Sequence, residues 1–296
     1  MTFSQRHPVL LLCCLAAALA GTALFRHPAY LTVSFCAAFA WSVELNGVKA
    51  FRFNLCMIPL ILLFTFWYAS FRHFGVTNLW RTPVGNYITL ESLARGLALG
   101  STIAALLMWM SCVHAVLTAD KIVFLLGRLS PKLSLVCAIL LRLVPRIRRQ
   151  ALSLDTSRKG LGLGSGQGNL LRRARNALIR CSGLVSWTLE RIMEASASMK
   201  AQGGALRGRT AYALYRFDLR DRSCAVALAF LITLSAMGWL LGQTGMRFDP
   251  VLRPAPFTPL SLVFWAGWGF LCLLPLGTDL TGRIRFARAR RALNQS

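Results

Sequence analysis

Two short segments of this chain have the makings of docking tips. Arg158-Lys159-Gly160 and Ala201-Gln202-Gly203 each set cationic or hydrogen-bonding side chains beside a glycine, and a glycine at a helix end lets another backbone come close. The chemistry open to such tips is recognition of an acidic groove by charge and hydrogen bonding, not bond making. Arg142, Arg146 and Arg149 recur at i, i+4 and i+7 and so share one helix face. On that face they suit carboxylates or the phosphates of anionic lipid. Lys200, Arg207 and Arg209 add charge near the second tip.

Other chemistry is poorly represented. His114, Asp120 and Lys121 lie together near the end of an apolar run, where ionisable groups are often functional. Asp120 and Lys121 read as markers of the membrane interface, and His114 as one neutral ring among apolar neighbours. No paired carboxylates and no nucleophile with a nearby base occur in the apolar runs, so no catalytic residues and no enzymatic activity are expected. The nine cysteines mostly sit inside apolar runs without a C-x-x-C pair, and read as small buried hydrophobes, not metal ligands or disulfides. The glycine-rich stretch from Gly160 to Gly168 lacks both Gly-Lys-Ser/Thr and G-x-G-x-x-G. It reads as a connector.

These segments must be positioned by a membrane protein. The 296 residues are 55% hydrophobic and only 15% charged, with a net charge of +24, a balance that excludes an ordinary cytosolic enzyme, a disordered chain and a simple nucleic-acid binder. A crossing helix needs about 20 apolar residues. Six uncharged runs qualify: 8–25, 28–43, 53–71, 96–119, 223–247 less its terminal arginine, and 254–278. The first, preceded by Arg6, has the look of a signal-peptide core, but the further spans favour a retained anchor. A seventh run from Leu133 to Leu141 has nine residues between Lys132 and Arg142, about 14 Å of helix, which is too short to cross. With Val136, Leu140, Val144 and Ile147 on one face and the arginines on another, it predicts an amphipathic helix at the membrane surface. Six spans with a cytoplasmic amino terminus leave 28 of the 34 basic residues inside. Both termini are then cytoplasmic.

The expected organisation is a membrane domain at 1–119 with spans one to four, a cytoplasmic or interfacial region at 120–222, spans five and six at 223–278, and a basic tail at 279–296. Within the middle region Leu171, Ala174, Leu178, Cys181, Val185, Thr188, Ile192, Ala195 and Met199 alternate at three and four residues over four heptads. That spacing predicts a helical seam for close packing. Its nearest partner is the amphipathic helix before it, roughly 132–159, and a charge placed at Cys181 or Val185 is then expected to damage folding. A helix over 169–203 runs about 52 Å. The first helix is expected to stop at Gly160 and the second at Gly203 and Gly204.

Leu141-Arg-Leu-Val-Pro-Arg-Ile147 with Ser157-Arg-Lys-Gly160, and Ala197-Ser-Met-Lys-Ala-Gln-Gly203 with Arg209-Thr210, resemble the two coupling helices of the transmembrane coupling (T) component of energy-coupling-factor (ECF) type ABC transporters. The resemblance covers about residues 90–222. It implies an all-α integral membrane protein of about six transmembrane helices, with two long amphipathic cytoplasmic coupling helices that cross each other. The tips Arg158, Lys159, Gly160 and Ala201, Gln202, Gly203 are then the ATPase-coupling residues, supported by Arg142, Pro145, Arg146, Arg149, Met199, Lys200, Arg207 and Arg209. The implied partners are two ABC-type ATPase subunits, which carry the ATP and Mg, and a small substrate-binding membrane (S) subunit for a vitamin or a transition-metal ion. Membrane lipids complete the set; no nucleic acid and no cofactor on this chain are implied. The implied location is a prokaryotic cell membrane. Arg158 and Lys159 stand where the family's first motif has Ala and Arg, and Gln202 where the second has Arg, which exchanges a planar bidentate donor for a point charge and for a neutral amide. A literal Ala94-Arg95-Gly96 lies at the outer mouth of the fourth span. The other reading is a membrane scaffold whose basic interfacial helices hold anionic lipid or another membrane protein, with no ATPase.

Overall fold

The computed structural model describes residues 3–72, 75–81, 87–162, 169–203, 215, 217–248, 252–254, 256 and 258–293. It divides into two compact units, Met1–Thr118 with Tyr215–Ser296, and Ala119–Leu214.

In the first unit a 3-10 turn precedes α1 (Pro8–Leu24), α2 (Pro28–Asn46) and α3 (Val48–Phe71), followed by the strands β1 (Asn78–Arg81) and β2 (Tyr87–Thr89) and the helix α4 (Leu90–Val116). α1 and α2 begin alike. A histidine precedes a proline, and the imidazole Nδ1 of His7 or His27 accepts from the backbone N–H two residues on, at 3.4 and 3.3 Å. Proline at the first helical position has no N–H to waste, so the remaining orphan donors are fewer. The core is built on Trp41, Trp109 and Trp268, all fully buried. Each indole N–H is satisfied: Trp109 donates to Ser34 Oγ at 3.0 Å, Trp268 to the Tyr30 carbonyl at 3.2 Å and Trp41 to Asp279 Oδ2 at 3.0 Å, as burial of a large amphipathic ring requires. α3 and α4 touch most closely at Gly96 and Gly100, where an added Cβ would stand 3.0 Å from the Thr65 carbonyl oxygen and 3.2 Å from that of Ile61. This is small-xxx-small packing, in which backbones approach because no side chain intervenes. Gly96 of the literal Ala94-Arg95-Gly96 is therefore a packing residue between helices.

Helices α5 (Ala119–Leu129), α6 (Pro131–Gly160) and α7 (Leu170–Ala201) belong to the second unit, and α8 (Leu219–Leu240), β3 (Met246–Arg247), β4 (Arg253–Pro254) and α9 (Pro259–Leu293) complete the first. One end of the bundle carries a polar layer. Asp279 accepts from the Phe3 N–H and the Trp41 indole, Arg283 pairs with Glu44 at 3.1 Å, and Arg6 pairs with Asp221 at 3.6 Å. At the opposite end the Arg26 and His27 N–H groups both donate to the Thr244 carbonyl, at 3.1 and 3.0 Å.

Five helices, α2, α3, α4, α8 and α9, are long and apolar enough to cross a membrane, and α1 is a shorter apolar helix. The protein is thus a predominantly helical, multi-pass membrane protein. Several expected boundaries shift. α2 runs on to Asn46, α3 begins at Val48 and so takes in Lys49 and Arg52, α8 ends at Leu240, and α9 carries straight through the basic segment to Leu293. Backbone hydrogen bonding does not stop at the edge of the apolar run, and long cationic side chains reach water from inside a helix. Beside the helices there are two short antiparallel pairs, β1 with β2 and β3 with β4.

Candidate coupling surface on the two long helices

The second unit is made of α5, α6 and α7. The separate helix α5 was not expected from the sequence. It is held to the start of α6 by Ser134, whose hydroxyl donates to the Val123 carbonyl at 2.9 Å, and by the close approach of Gly127 to that same hydroxyl. Ser130 begins the next helix directly, with Pro131 at its first position. Among the described side chains of α6 none is fully buried. Its half-buried stripe is Leu135, Ile139, Leu143, Ile147, Ala151, Leu154 and Arg158, spaced at three and four residues as an inward helical face must be.

Arg142, Arg146 and Arg149 are exposed, as are Val136, Leu140 and Val144, whereas Ile147 of the expected apolar face is half-buried. Pro145 sits inside α6 and Arg149 Nε donates to its carbonyl at 3.4 Å. Proline within a helix forgoes one backbone hydrogen bond.

The two tips close in the same manner. In α6 the Gly162 N–H bonds to the Lys159 carbonyl at 3.1 Å, and in α7 the Gly203 N–H bonds to the Lys200 carbonyl at 3.0 Å. Gly162 and Gly203 both hold positive φ, 68° and 76°, the left-handed conformation that ends helices. The terminating glycine of α6 is therefore Gly162. Gly160, expected as the stop, is the last residue of the helix, and Gly203 keeps its expected role. Each tip presents a lysine three residues before its left-handed glycine, with Gly160 matching Ala201 and Leu161 matching Gln202. Lysines in the last turn also face the negative end of the helix dipole. Arg158 is half-buried, Lys159, Lys200, Ala201 and Gln202 are exposed, and Met199 is half-buried. Arg207, Arg209, Thr210, Gly204 and the connector from 163 to 168 lie outside the described residues.

An observable consequence separates the three glycines. Nothing stands within 4 Å of a Cβ added at Gly160, so Gly160→Ala is expected to raise helix stability by up to ~1 kcal/mol. Gly162→Ala and Gly203→Ala are each expected to cost about 1–2 kcal/mol, because an L side chain in the left-handed region clashes with its own carbonyl. Limited proteolysis of the tips orders the three variants; faster cleavage of Gly160→Ala than of Gly162→Ala would contradict this assignment.

Asp155 is the residue that sequence reasoning missed. It pairs with Lys159 one turn on at 3.0 Å and with Arg180 of α7 at 3.3 Å, so the first tip is tied to the second helix through a single carboxylate. The signal was present: Asp155 is the sole acidic residue of α6, four positions before Lys159. Lys159 is accordingly already partnered, whereas Lys200 projects at the tip of α7.

The heptad stripe is not the face that α7 turns to α6. Leu171, Leu178, Val185 and Ile192 are 87%, 71%, 58% and 44% exposed; Ala174, Cys181 and Ala195 are exposed too, and only Thr188 and Met199 are half-buried. The covered face is the adjacent one, with Asn176 buried and Arg180, Leu184 and Trp187 half-buried. The periodicity identifies an apolar stripe but carries no information on what covers it, and the Asp155–Arg180 pair joins α6 to α7 on a different face. Asp at Cys181 or Val185 is therefore not expected to disrupt this unit.

His114 and Asp120 are exposed and Lys121 is buried. Among the described residues no three potential metal ligands cluster. What the arrangement offers chemically is a pair of stiff, basic, glycine-terminated helix ends braced by an ion pair. No protein-family model matches the chain, and no curated protein matches it.

Proposed function

We propose that this chain is the transmembrane coupling subunit of an ATP-driven ECF-type importer, linking two cytoplasmic ATPase subunits to a separate substrate-binding membrane subunit for a vitamin or transition-metal ion. The observation that carries this reading is the matched closure of α6 and α7: two helix ends of one design, Lys159 with Gly162 and Lys200 with Gly203, fit two copies of one kind of groove. The bond-making chemistry then belongs to the ATPases, and this chain supplies attachment and leverage. Arg142, Arg146 and Arg149 remain open for acidic or lipid partners.

The reading includes six spans, with α1 as the first. Its 17 residues measure about 26 Å along the axis, close to the hydrocarbon thickness. Arg6 before α1 meets Asp221 in the first turn of α8, and Arg26 beyond α1 meets Thr244 beyond α8. The two helices thus run side by side over the same depth. With six crossings both termini are cytoplasmic, in a prokaryotic plasma membrane.

Purification of the tagged full-length chain at native expression is expected to recover two ATPase chains and one small membrane protein. Lys200→Glu is expected to lower ATPase recovery severalfold with membrane insertion intact, since it reverses charge at an exposed tip without touching Asp155. Recovery without any nucleotide-binding chain would defeat the proposal. A scaffold holding anionic lipid is the second reading, favoured by the exposed apolar residues Val136, Leu140 and Val144 beside the arginines. Anionic-liposome binding by the chain, unchanged by Lys200→Glu and without ATPase recovery, selects it.

A further inference from the structure

In the first unit two concave sites meet at Met246. One, of about 360 Å³, is lined by Arg26, Gln243, Met246, Arg247 and Arg253 among others. The second, also about 360 Å³, lies against α2, α3 and α4 and is lined by Leu31, Phe35, Ile61, Leu97, Met246 and Phe248 among others. Each is within the size range of small-molecule sites, roughly 300–1,000 Å³. Their chemistry is opposite, one cationic and one apolar.

The cationic site gathers three arginines that make no ion pair among the described residues. Arg247 and Arg253 are register partners in the β3–β4 pair, and like charges set directly opposite across two strands repel. Arg26 is held alongside by the bonds from its own N–H and that of His27 to Thr244. All three arginines are exposed. Among the described residues none of the three guanidinium groups has an ion pair and no carboxylate lines the pocket; Asp249 lies outside those residues. The side-chain oxygen of Gln243 is buried without a hydrogen-bond partner. As an acceptor it suits a hydroxyl or ammonium donor, not the anion itself.

The apolar site offers no competing polar group. Its two hydroxyls, on Thr32 and Ser101, are each spent on a carbonyl of their own helix, Ala29 at 3.0 Å and Leu97 at 2.6 Å. A hydrocarbon chain can therefore lie there without leaving a donor or acceptor stranded.

We propose that the two sites together bind one anionic glycerophospholipid. Its phosphate sits among Arg26, Arg247 and Arg253, a headgroup hydroxyl or ammonium donates to Gln243, and one acyl chain follows the groove past Met246 along Leu31, Phe35 and Leu97. The phosphate neutralises the cross-strand repulsion, and the chain fills a cavity that would otherwise forfeit packing. This does not depend on the ATPase reading.

The test uses the full-length chain in phosphatidylcholine nanodiscs doped with phosphatidylglycerol, with retained lipid identified by mass spectrometry after release into detergent. Phosphatidylglycerol is expected to be retained in preference to phosphatidylcholine. The double variant Arg247→Gln, Arg253→Gln is expected to lower its retention about tenfold, with phosphatidylcholine retention and helix content unchanged. Leu97→Trp, which fills the groove, is expected to lower retention with the arginines in place. Inorganic phosphate and glycerol phosphate are expected not to displace the lipid. Equal retention of the two lipids, or full retention by the double arginine variant, overturns the proposal. Displacement by inorganic phosphate alone also overturns it, since the pocket would then be a site for a soluble anion.

Discussion

Asp279→Ala is expected to lower the melting temperature of the purified protein more than any other single change at the bundle ends. The carboxylate is 3% exposed, and it is the acceptor for two buried donors, the Phe3 N–H and the Trp41 indole. A buried donor left without a partner costs about 1–3 kcal/mol. The two together cost at most ~6 kcal/mol, reduced by the desolvation that a lost buried charge no longer incurs. Asp279→Asn keeps one acceptor and is expected to lose about half as much. Trp41→Phe removes only the indole donor, so in the Asp279→Ala background its additional effect should shrink, as coupled residues require. Thermal unfolding followed by circular dichroism in detergent compares the unsubstituted protein, the three single variants and the double variant. An Asp279→Ala protein that melts with the unsubstituted one would show that this contact contributes nothing.

Asp155→Ala is expected to loosen α7 from α6. Asp155 and Arg180 are 17% and 31% exposed at their side chains, intermediate between a surface pair worth under ~1 kcal/mol and a desolvated one worth more. A loss of about 1–2 kcal/mol would suffice to broaden the separation of two helices that otherwise share little buried surface. Spin labels at the exposed Ser153 and Ser182 report it as a wider distance distribution. The exchange Asp155→Arg with Arg180→Asp restores the pair between helices but leaves Lys159 facing a cation, so rescue should be partial. An unchanged distribution in Asp155→Ala would mean that apolar contact alone orients α7.

The extent to which the molecule was legible in its sequence follows from the range of each signal. Hydropathy located the crossing helices because about 20 apolar residues in a row have one physical meaning in lipid. The ends were less legible: Lys49 and Arg52 looked like boundaries but lie inside α3. α5 was missed because its 11 residues are too few to span a membrane, although Ser130-Pro131 marks the start of a new helix after it. The tips were nearly placed, two residues off at Gly162, because the run Gly160-Leu-Gly162 offers two glycines and only backbone φ tells them apart. The stripe from Leu171 to Met199 is legible as a stripe, but spacing along one helix says nothing of what covers it. Asp279 was beyond reach: its partner Phe3 is 276 residues away. Gly96 and Gly100, by contrast, stand at small-xxx-small spacing in the sequence itself.

Where Gly96 and Gly100 press α4 onto the carbonyls of Thr65 and Ile61, there is no cushion of side chains to compress or reshuffle. Sliding either helix by one residue would drive Leu97 or Ser101 into that seam. The pair is therefore expected to lean as a single plank when the surrounding lipid thins or thickens.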